Sequence, residues 1–173
     1  MKKPVNRGRI KEKKNMINFK GNEGIIFNFR AVAVVIDEGF ILLHKSNKDN
    51  FWSLPGGRVE FGEKTEEAVI RELREEVNIK GEIVRQLWYV EEFYKYNNEN
   101  YHEIGAYYLV HIDNKIKEKN VDYKGKDGEK ILTYRWFKID EIKNIELYPE
   151  FLKEKLFKLP KTLEKITHIH QEK

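Results

Sequence analysis

The chain has 173 residues, 40% of them hydrophobic, which suits one packed domain and argues against a disordered chain. It has no cysteine, which excludes disulfides and thiolate metal sites and fits a reducing cytoplasm. No apolar run approaches the ~20 residues that cross a bilayer, and the basic N-terminus lacks the apolar segment of a secretory signal, so no membrane partner is expected.

The net charge of +4 is unevenly placed. Residues 1–20 carry Lys2, Lys3, Arg7, Arg9, Lys11, Lys13, Lys14 and Lys20 against Glu12 alone, a net +7, so with +4 overall the other 153 residues sum to −3. The expectation is a basic, flexible arm over 1–20, a globular domain over 21–160 and a tail over 161–173. The arm reads first as a solvated tail, with RNA or another polyanion as a partner it could touch. Met16, just past the densest basic run, is a candidate start of the native chain.

In chain order, "RAVAVVI" (Arg30 to Ile36) is apolar and β-branched and predicts a buried strand. Asp37-Glu38-Gly39 predicts a turn, with "FILLH" (Phe40 to His44) as the hairpin partner. A short strand is expected at Trp52 to Leu54. Pro55-Gly56-Gly57 predicts a tight turn, because proline fixes φ and glycine permits positive φ. A helix follows over Glu66 to Val77, with Thr65 as N-cap and Asn78 at the left-handed position past its end. Glu82 to Tyr96 and Tyr101 to Ile112 read as long strands joined through residues 97–100. Residues 113–130 read as a polar loop, Ile131 to Ile139 as a strand, and Pro149 to Leu159 as an amphipathic helix.

The helix poses a chemical question. Glu72, Glu75 and Glu76 crowd its C-terminal half, where anions oppose the macrodipole by a few tenths to ~1 kcal/mol. At about 100° per residue, the three share one face with the small Ala68, beside an apolar stripe of Val69, Ile70, Leu73 and Val77. Carboxylates at the rim of a core repel one another, and a hard divalent cation such as Mg²⁺ or Mn²⁺ would relieve the repulsion. The alternative is a solvated face laced with pairs such as Arg71 and Glu75.

The spacing upstream favours the first reading. Gly57, five residues, Glu63, seven residues, then Arg71-Glu72-Leu73-Arg74-Glu75-Glu76-Val77-Asn78-Ile79 resembles the Nudix box, G-x5-E-x7-R-E-U-x-E-E-x-G-U with U aliphatic. Eight of nine specified positions match, and Asn78 replaces the last glycine at a left-handed cap that asparagine tolerates. The resemblance covers Phe27 to about Leu159. It implies an α/β fold, a Nudix-type α/β/α sandwich with a mixed β-sheet. It also implies a metal-dependent pyrophosphohydrolase that cleaves a phosphoanhydride in a nucleoside diphosphate derivative, using Mg²⁺ or Mn²⁺. By position, Glu72, Glu75 and Glu76 would be metal ligands, with the Gly56 carbonyl a further one. Glu72 would serve as base for the attacking water, Arg71 would orient it, and Glu63 would support the loop–helix geometry.

Outside the box, Glu103, Asp127 and Glu129 are candidates for an additional acid. Arg30 and Arg58 flank the expected phosphate path and suit bidentate phosphate contact, although surface ion pairing accounts for them equally. Trp52, Trp88, Tyr89, Phe93 and Tyr94 are candidates for stacking on a base, against the commoner role of strand aromatics in a core. His102 and His111 fall on opposite sides of their strand and read as structural, and His168 with His170 as at most a weak metal pair. Substrate, base, leaving group and oligomeric state stay open at this point, a homodimer included. A catalytically silent module that binds a nucleotide or RNA is the alternative from another class. A third reading takes RNA 5′ ends as substrate, held by the arm.

Overall fold

The computed structural model describes residues 15–113, 116 and 118–169. Among these described residues, ten strands and two α-helices follow in the order β1 (Asn18–Lys20), β2 (Ile26–Val34), β3 (Ile36–Asp37), β4 (Phe40–Ser46), β5 (Gly56–Arg58), α1 (Thr65–Val77), β6 (Gly81–Tyr96), β7 (Glu99–Ile112), β8 (Tyr123–Asp127), β9 (Lys130–Lys138), α2 (Leu152–Lys155) and β10 (Glu164–Ile169), with a 3-10 helix over Ile139–Asn144.

Strand β2 shows how the sequence builds the layers. Its residues alternate between two cores, as the period of two demands. Ala31 and Ala33 pack with Ala68, Val69 and Leu73 of α1, while Val32 and Val34 pack with Ile142, Leu147, Leu152 and Leu156 on the other side. The small alanines let α1 lie close. Two sheets fill the middle: a six-stranded mixed one ordered β1-β2-β7-β6-β10 with β5 also on β2, and an antiparallel one ordered β3-β4-β9-β8. The outcome is the expected α/β/α sandwich with a mixed sheet. Among the described residues no helix is long and apolar enough to cross a membrane.

The hairpins follow their turn chemistry. Glu38 and Gly39 take φ of 49° and 81° between β3 and β4, and Asn97 and Asn98 take 51° and 62° between β6 and β7. Two positive-φ residues in succession match the twist of antiparallel strands. The second connection is therefore two residues, tighter than the four expected over 97–100. Helix α1 ends as expected, with Asn78 left-handed at φ 55° and the Ile79 N–H donating to the Leu73 carbonyl at 3.2 Å. Its start differs. Lys64 is the N-cap and Thr65 the first helical residue, its hydroxyl 2.5 Å from that of Tyr108.

Three other expectations are corrected. Residues 113–130 are not all loop, since Tyr123–Asp127 forms β8 along β9. The stretch Trp52 to Leu54 makes only isolated bridges, His44 with Ser53 and Trp52 with Leu147, while Gly56–Arg58 is the strand that pairs with β2. The helix expected over 149–159 is regular only at Leu152–Lys155. Outside residues 21–160, Asn18–Lys20 pairs with β2 and Glu164–Ile169 runs parallel to β6. Residues 1–14, with most of the basic arm, and His170 lie outside the described residues.

Candidate functional site

The two glycines before α1 are explained by what approaches them. Gly56 has φ of +147°, and a β-carbon there would meet the Ala31 carbonyl oxygen at 2.3 Å. A β-carbon on Gly57 would fall 2.3 Å from the carboxyl carbon of Glu72. Only bare backbone lets β5 lie between β2 and the acidic face of the helix.

On that face the three carboxylates differ. Glu72 and Glu76 are buried, 3% and 8% exposed, while the Glu75 side chain is 41% exposed. Arg71 organises them. Its Nε and Nη2 donate to the two Glu63 oxygens at 2.6 and 2.9 Å, Nη1 donates to Glu72 Oε1 at 2.6 Å, and Nη2 also reaches the Arg58 carbonyl at 3.0 Å. Glu75 Oε2 lies 3.5 Å from Nη1. The hydrogen bond to Glu63 raises the Arg71 pKa most; burial opposes this and Glu72 adds to it. Glu63 is itself held by the Glu60 N–H at 3.0 Å. Arg71 thus fixes the rotamer of Glu72 through a fork that a lysine lacks.

Glu76 accepts a hydrogen bond from the Tyr134 hydroxyl. Burial pushes its carboxyl up to about 8; the Tyr134 bond opposes the rise, and the charges of Glu72 and Asp127 add to it. Asp127, at the end of β8, lines the same cavity, whereas Glu129 is exposed in the β8–β9 turn.

The cavity holds about 560 Å³ and extends from Glu72 and Glu76 across β2 toward β6 and β7. Arg30 and Arg58 lie between the two ends. Arg30 Nη2 donates to the Gly56 carbonyl at 3.1 Å, and Arg58 Nε donates to Asn28 Oδ1 at 3.2 Å. Burial is the largest influence on Arg30 and would lower its pKa, but the charges of Glu103, Tyr94, Tyr107 and Glu76 together outweigh it and hold the guanidinium cationic. Arg30 Nε is buried and has no acceptor among the described residues. At the far end, Glu103 is 6% exposed and accepts from Tyr94 at 3.0 Å and Asn28 at 3.2 Å.

Sequence reasoning missed Asn28, His44 and Glu92 in this cavity. Glu92 is 6% exposed, and its carboxyl is raised to about 8 by burial first and the Glu103 charge second. Burial, helped by the Arg30 and Lys130 charges, drops His44 to about 3. A signal for Glu92 existed: it shares the period-2 face of Trp88, Val90 and Tyr94, where a lone acid is out of place. Of the five aromatics singled out, Tyr94 lines the cavity, Trp52 and Trp88 are core, and Tyr89 and Phe93 are each 38% exposed. His102 stacks on Phe93 at 4.4 Å, and His111 is exposed.

As the side chains stand, no three His, Cys, Asp or Glu among the described residues converge tightly enough to hold a metal ion. The donor chemistry nonetheless fits a hard divalent cation. Three carboxylates share one helical face, and the burial that raises Glu76 is the cost a cation would offset. The Gly56 carbonyl keeps a second lone pair beside the Arg30 bond.

The sandwich and its clamped acidic helix define a Nudix-type domain. A family model described as the NUDIX domain matches residues 27–158, and the chain belongs to that family. It is 40% identical over 67 residues to an RNA pyrophosphohydrolase of Acinetobacter baylyi, covering 39% of this chain and 36% of that protein. An RNA pyrophosphohydrolase of Wolbachia pipientis subsp. Culex pipiens is 30% identical over 118 residues, 61% of this chain and 70% of that one. The matches to relatives from Ruthia magnifica and Mycobacterium tuberculosis span only 40% and 24% of their lengths. The mutator MutT protein of Bacillus halodurans shares the fold at TM-score 0.60 and 18% identity, over 82% of this chain and 89% of that one.

Proposed function

We propose that the protein is a metal-dependent pyrophosphohydrolase that opens a phosphoanhydride in a nucleoside diphosphate derivative by attack of water. The observation that carries this is the Glu63–Arg71–Glu72 clamp, which holds Glu72 against the Gly57 backbone at the mouth of a cavity containing two arginines. A hydrolytic site for phosphate needs a positioned base, neutralisation of phosphate charge and an in-line water, and little else.

Glu72, Glu75, Glu76 and the Gly56 carbonyl would hold Mg²⁺ or Mn²⁺, which supplies charge neutralisation and lowers the pKa of a bound water. Glu72 takes the proton of the attacking water, with Arg71 fixing the carboxylate's direction. Arg30 and Arg58 bind the phosphate oxygens, Arg30 through the Nε that has no acceptor among the described residues. Glu76 and Tyr134 close the rear of the acidic face.

The test is phosphate release from nucleoside triphosphates, dinucleoside polyphosphates and nucleotide sugars with Mg²⁺ or Mn²⁺. Glu72→Gln is expected to lower kcat by at least about a hundredfold, in the range typical for loss of a general base. A variant that hydrolyses every substrate as fast as wild type would refute Glu72 as the base, and a wild type that turns over none of them would leave only a silent nucleotide- or RNA-binding module.

RNA 5′ ends are a second substrate class, favoured by the relatives named RNA pyrophosphohydrolase and by the +7 charge of residues 1–20. Deleting residues 1–15 should then weaken RNA turnover and flatten its salt dependence while sparing small nucleotides. The lack of cysteine suits work in the cytoplasm.

A further inference from the structure

Beyond Arg30, the cavity ends in a row of polar side chains that four strands bring into register. Asn28 of β2 pairs with Glu103 of β7, Glu103 with Glu92 of β6, and Glu92 with His168 of β10. Paired residues point to one face of a sheet, and all four line the cavity. Asn28 is 3% exposed, and Glu92 and Glu103 are each 6% exposed.

Two acids directly opposite one another destabilise a sheet, and burial increases the cost. The proton that burial and Glu103 keep on Glu92 at neutral pH reduces it. The pair then presents both a hydroxyl donor and carboxylate acceptors to the cavity. Independently, His44 is 7% exposed, lines the same cavity, and has an Nδ1 with no partner among the described residues. The cavity therefore offers hydrogen-bonding atoms to a ligand at more than one place.

Charge and shape narrow the ligand. Along the cavity the order is acidic helix, Arg30 with Arg58, then the Glu92–Glu103 pair. The complement of that order is a cation, a phosphate chain, and a group rich in hydrogen-bond donors. The walls at the far end are aromatic. Tyr94 and Tyr101 stack at 5.0 Å with planes 4° apart, and Phe51 meets Tyr148 edge-on at 5.2 Å. Flat walls fit a planar heterocycle better than a sugar.

We propose that the row Asn28–Glu103–Glu92–His168 is a base-reading subsite, in which the two glutamates select a nucleobase whose N–H donors sit beside a ring acceptor. This rests on the phosphoanhydride reading above and names the end of the substrate which that reading leaves open. Glu92 and Glu103 are specificity residues here and take no part in the chemical step.

The experiment is calorimetric binding of the non-hydrolysable α,β-methylene diphosphates of guanosine, adenosine, cytidine and unsubstituted purine riboside, which has no base N–H edge, to the full chain with Mg²⁺. At least one amino-bearing base should bind about tenfold or more tighter than purine riboside, in line with good base-edge contacts. Glu103→Gln, which replaces the carboxylate acceptor, should shrink that ratio below about threefold, with purine riboside affinity itself nearly unchanged, whereas Glu92→Gln, which keeps a neutral donor beside an acceptor, should retain most of it. Glu72→Gln should keep the ratio. That result with no hydrolysis by the wild type would sink the catalytic reading and leave this one standing. Equal binding of all four analogues by the wild type overturns the proposal. So does a uniform loss across ligands in the folded glutamine variants, or affinity set by the sugar of a nucleotide sugar whatever its base. If a variant does not fold, the wild-type panel alone decides.

Discussion

Gly57 and Glu72 occupy each other's space: a β-carbon on the glycine would stand 2.3 Å from the glutamate's carboxyl carbon and 2.5 Å from Oε1. Neither atom set can yield easily, because Glu72 is tied to Arg71 and β5 is tied to β2. Gly57→Ala should therefore push Glu72 out of its rotamer. The expected outcome is a loss of about 1–3 kcal/mol of stability, as for overpacking elsewhere, and a fall in kcat of about tenfold or more from misplacing the base. Thermal melting and steady-state kinetics on one preparation check both.

Arg71 makes four hydrogen bonds at 2.6–3.0 Å to Glu63, Glu72 and the Arg58 carbonyl. A lysine keeps the charge but not the planar fork. Arg71→Lys should lower kcat about tenfold to a hundredfold with little change in KM, since a positioning defect of this kind acts on the transition state. Glu63→Gln, which weakens the far side of the clamp, should move kcat in the same direction by less. Equal effects on KM and kcat from either variant would point to substrate contact instead.

The acidic helix was legible because its signals are local. Periodicity put Glu72, Glu75 and Glu76 on one face, and spacing tied them to Gly57 and Glu63. The far half of the cavity was not legible, because it depends on register. Glu92 and Glu103 meet only through the β6–β7 pairing, with two bulges along it, and His168 joins them through a parallel pairing between β10 and β6. A parallel partner so distant in sequence leaves no turn signature. Strand β8 was hidden for a different reason: "YKGKD" lacks apolar alternation, and its buried member is a glycine.

The buried His44 ties stability to pH. Its pKa falls from 6.5 to about 3 on folding, through burial first and then the charges of Arg30 and Lys130. Between those values the unfolded chain binds the proton and the folded one does not. Stability therefore falls as pH drops below 6.5, by at most about 1.4 kcal/mol per pH unit from this group, and the loss levels off below about 3. His44→Gln removes this titration. Urea unfolding across that range should show a shallower decline with pH for the variant, whatever its absolute stability. Parallel curves would mean that His44 is protonated in the folded protein.

Gly125 couples the β8 strand to the acidic helix. A β-carbon there would meet the Glu76 carbonyl oxygen at 2.6 Å and the Tyr134 ring at 2.8 Å. The backbone contact leaves no flexible atom to move aside, so Gly125→Ala should cost about 1–3 kcal/mol. It should also disturb catalysis, because Tyr134 is the hydrogen-bond donor to Glu76. Tyr134→Phe separates the two effects. It removes the donor without adding bulk, which leaves a buried carboxyl short of one partner at a cost of about 1–3 kcal/mol. If the acidic face works as proposed, both variants should raise the Mg²⁺ concentration needed for half-maximal activity, and both should lower the melting midpoint in the absence of metal, Gly125→Ala through strain and Tyr134→Phe through the lost hydrogen bond. Unchanged Mg²⁺ dependence in both would remove Glu76 from the ligand set and leave Glu72 and Glu75 to hold the ion.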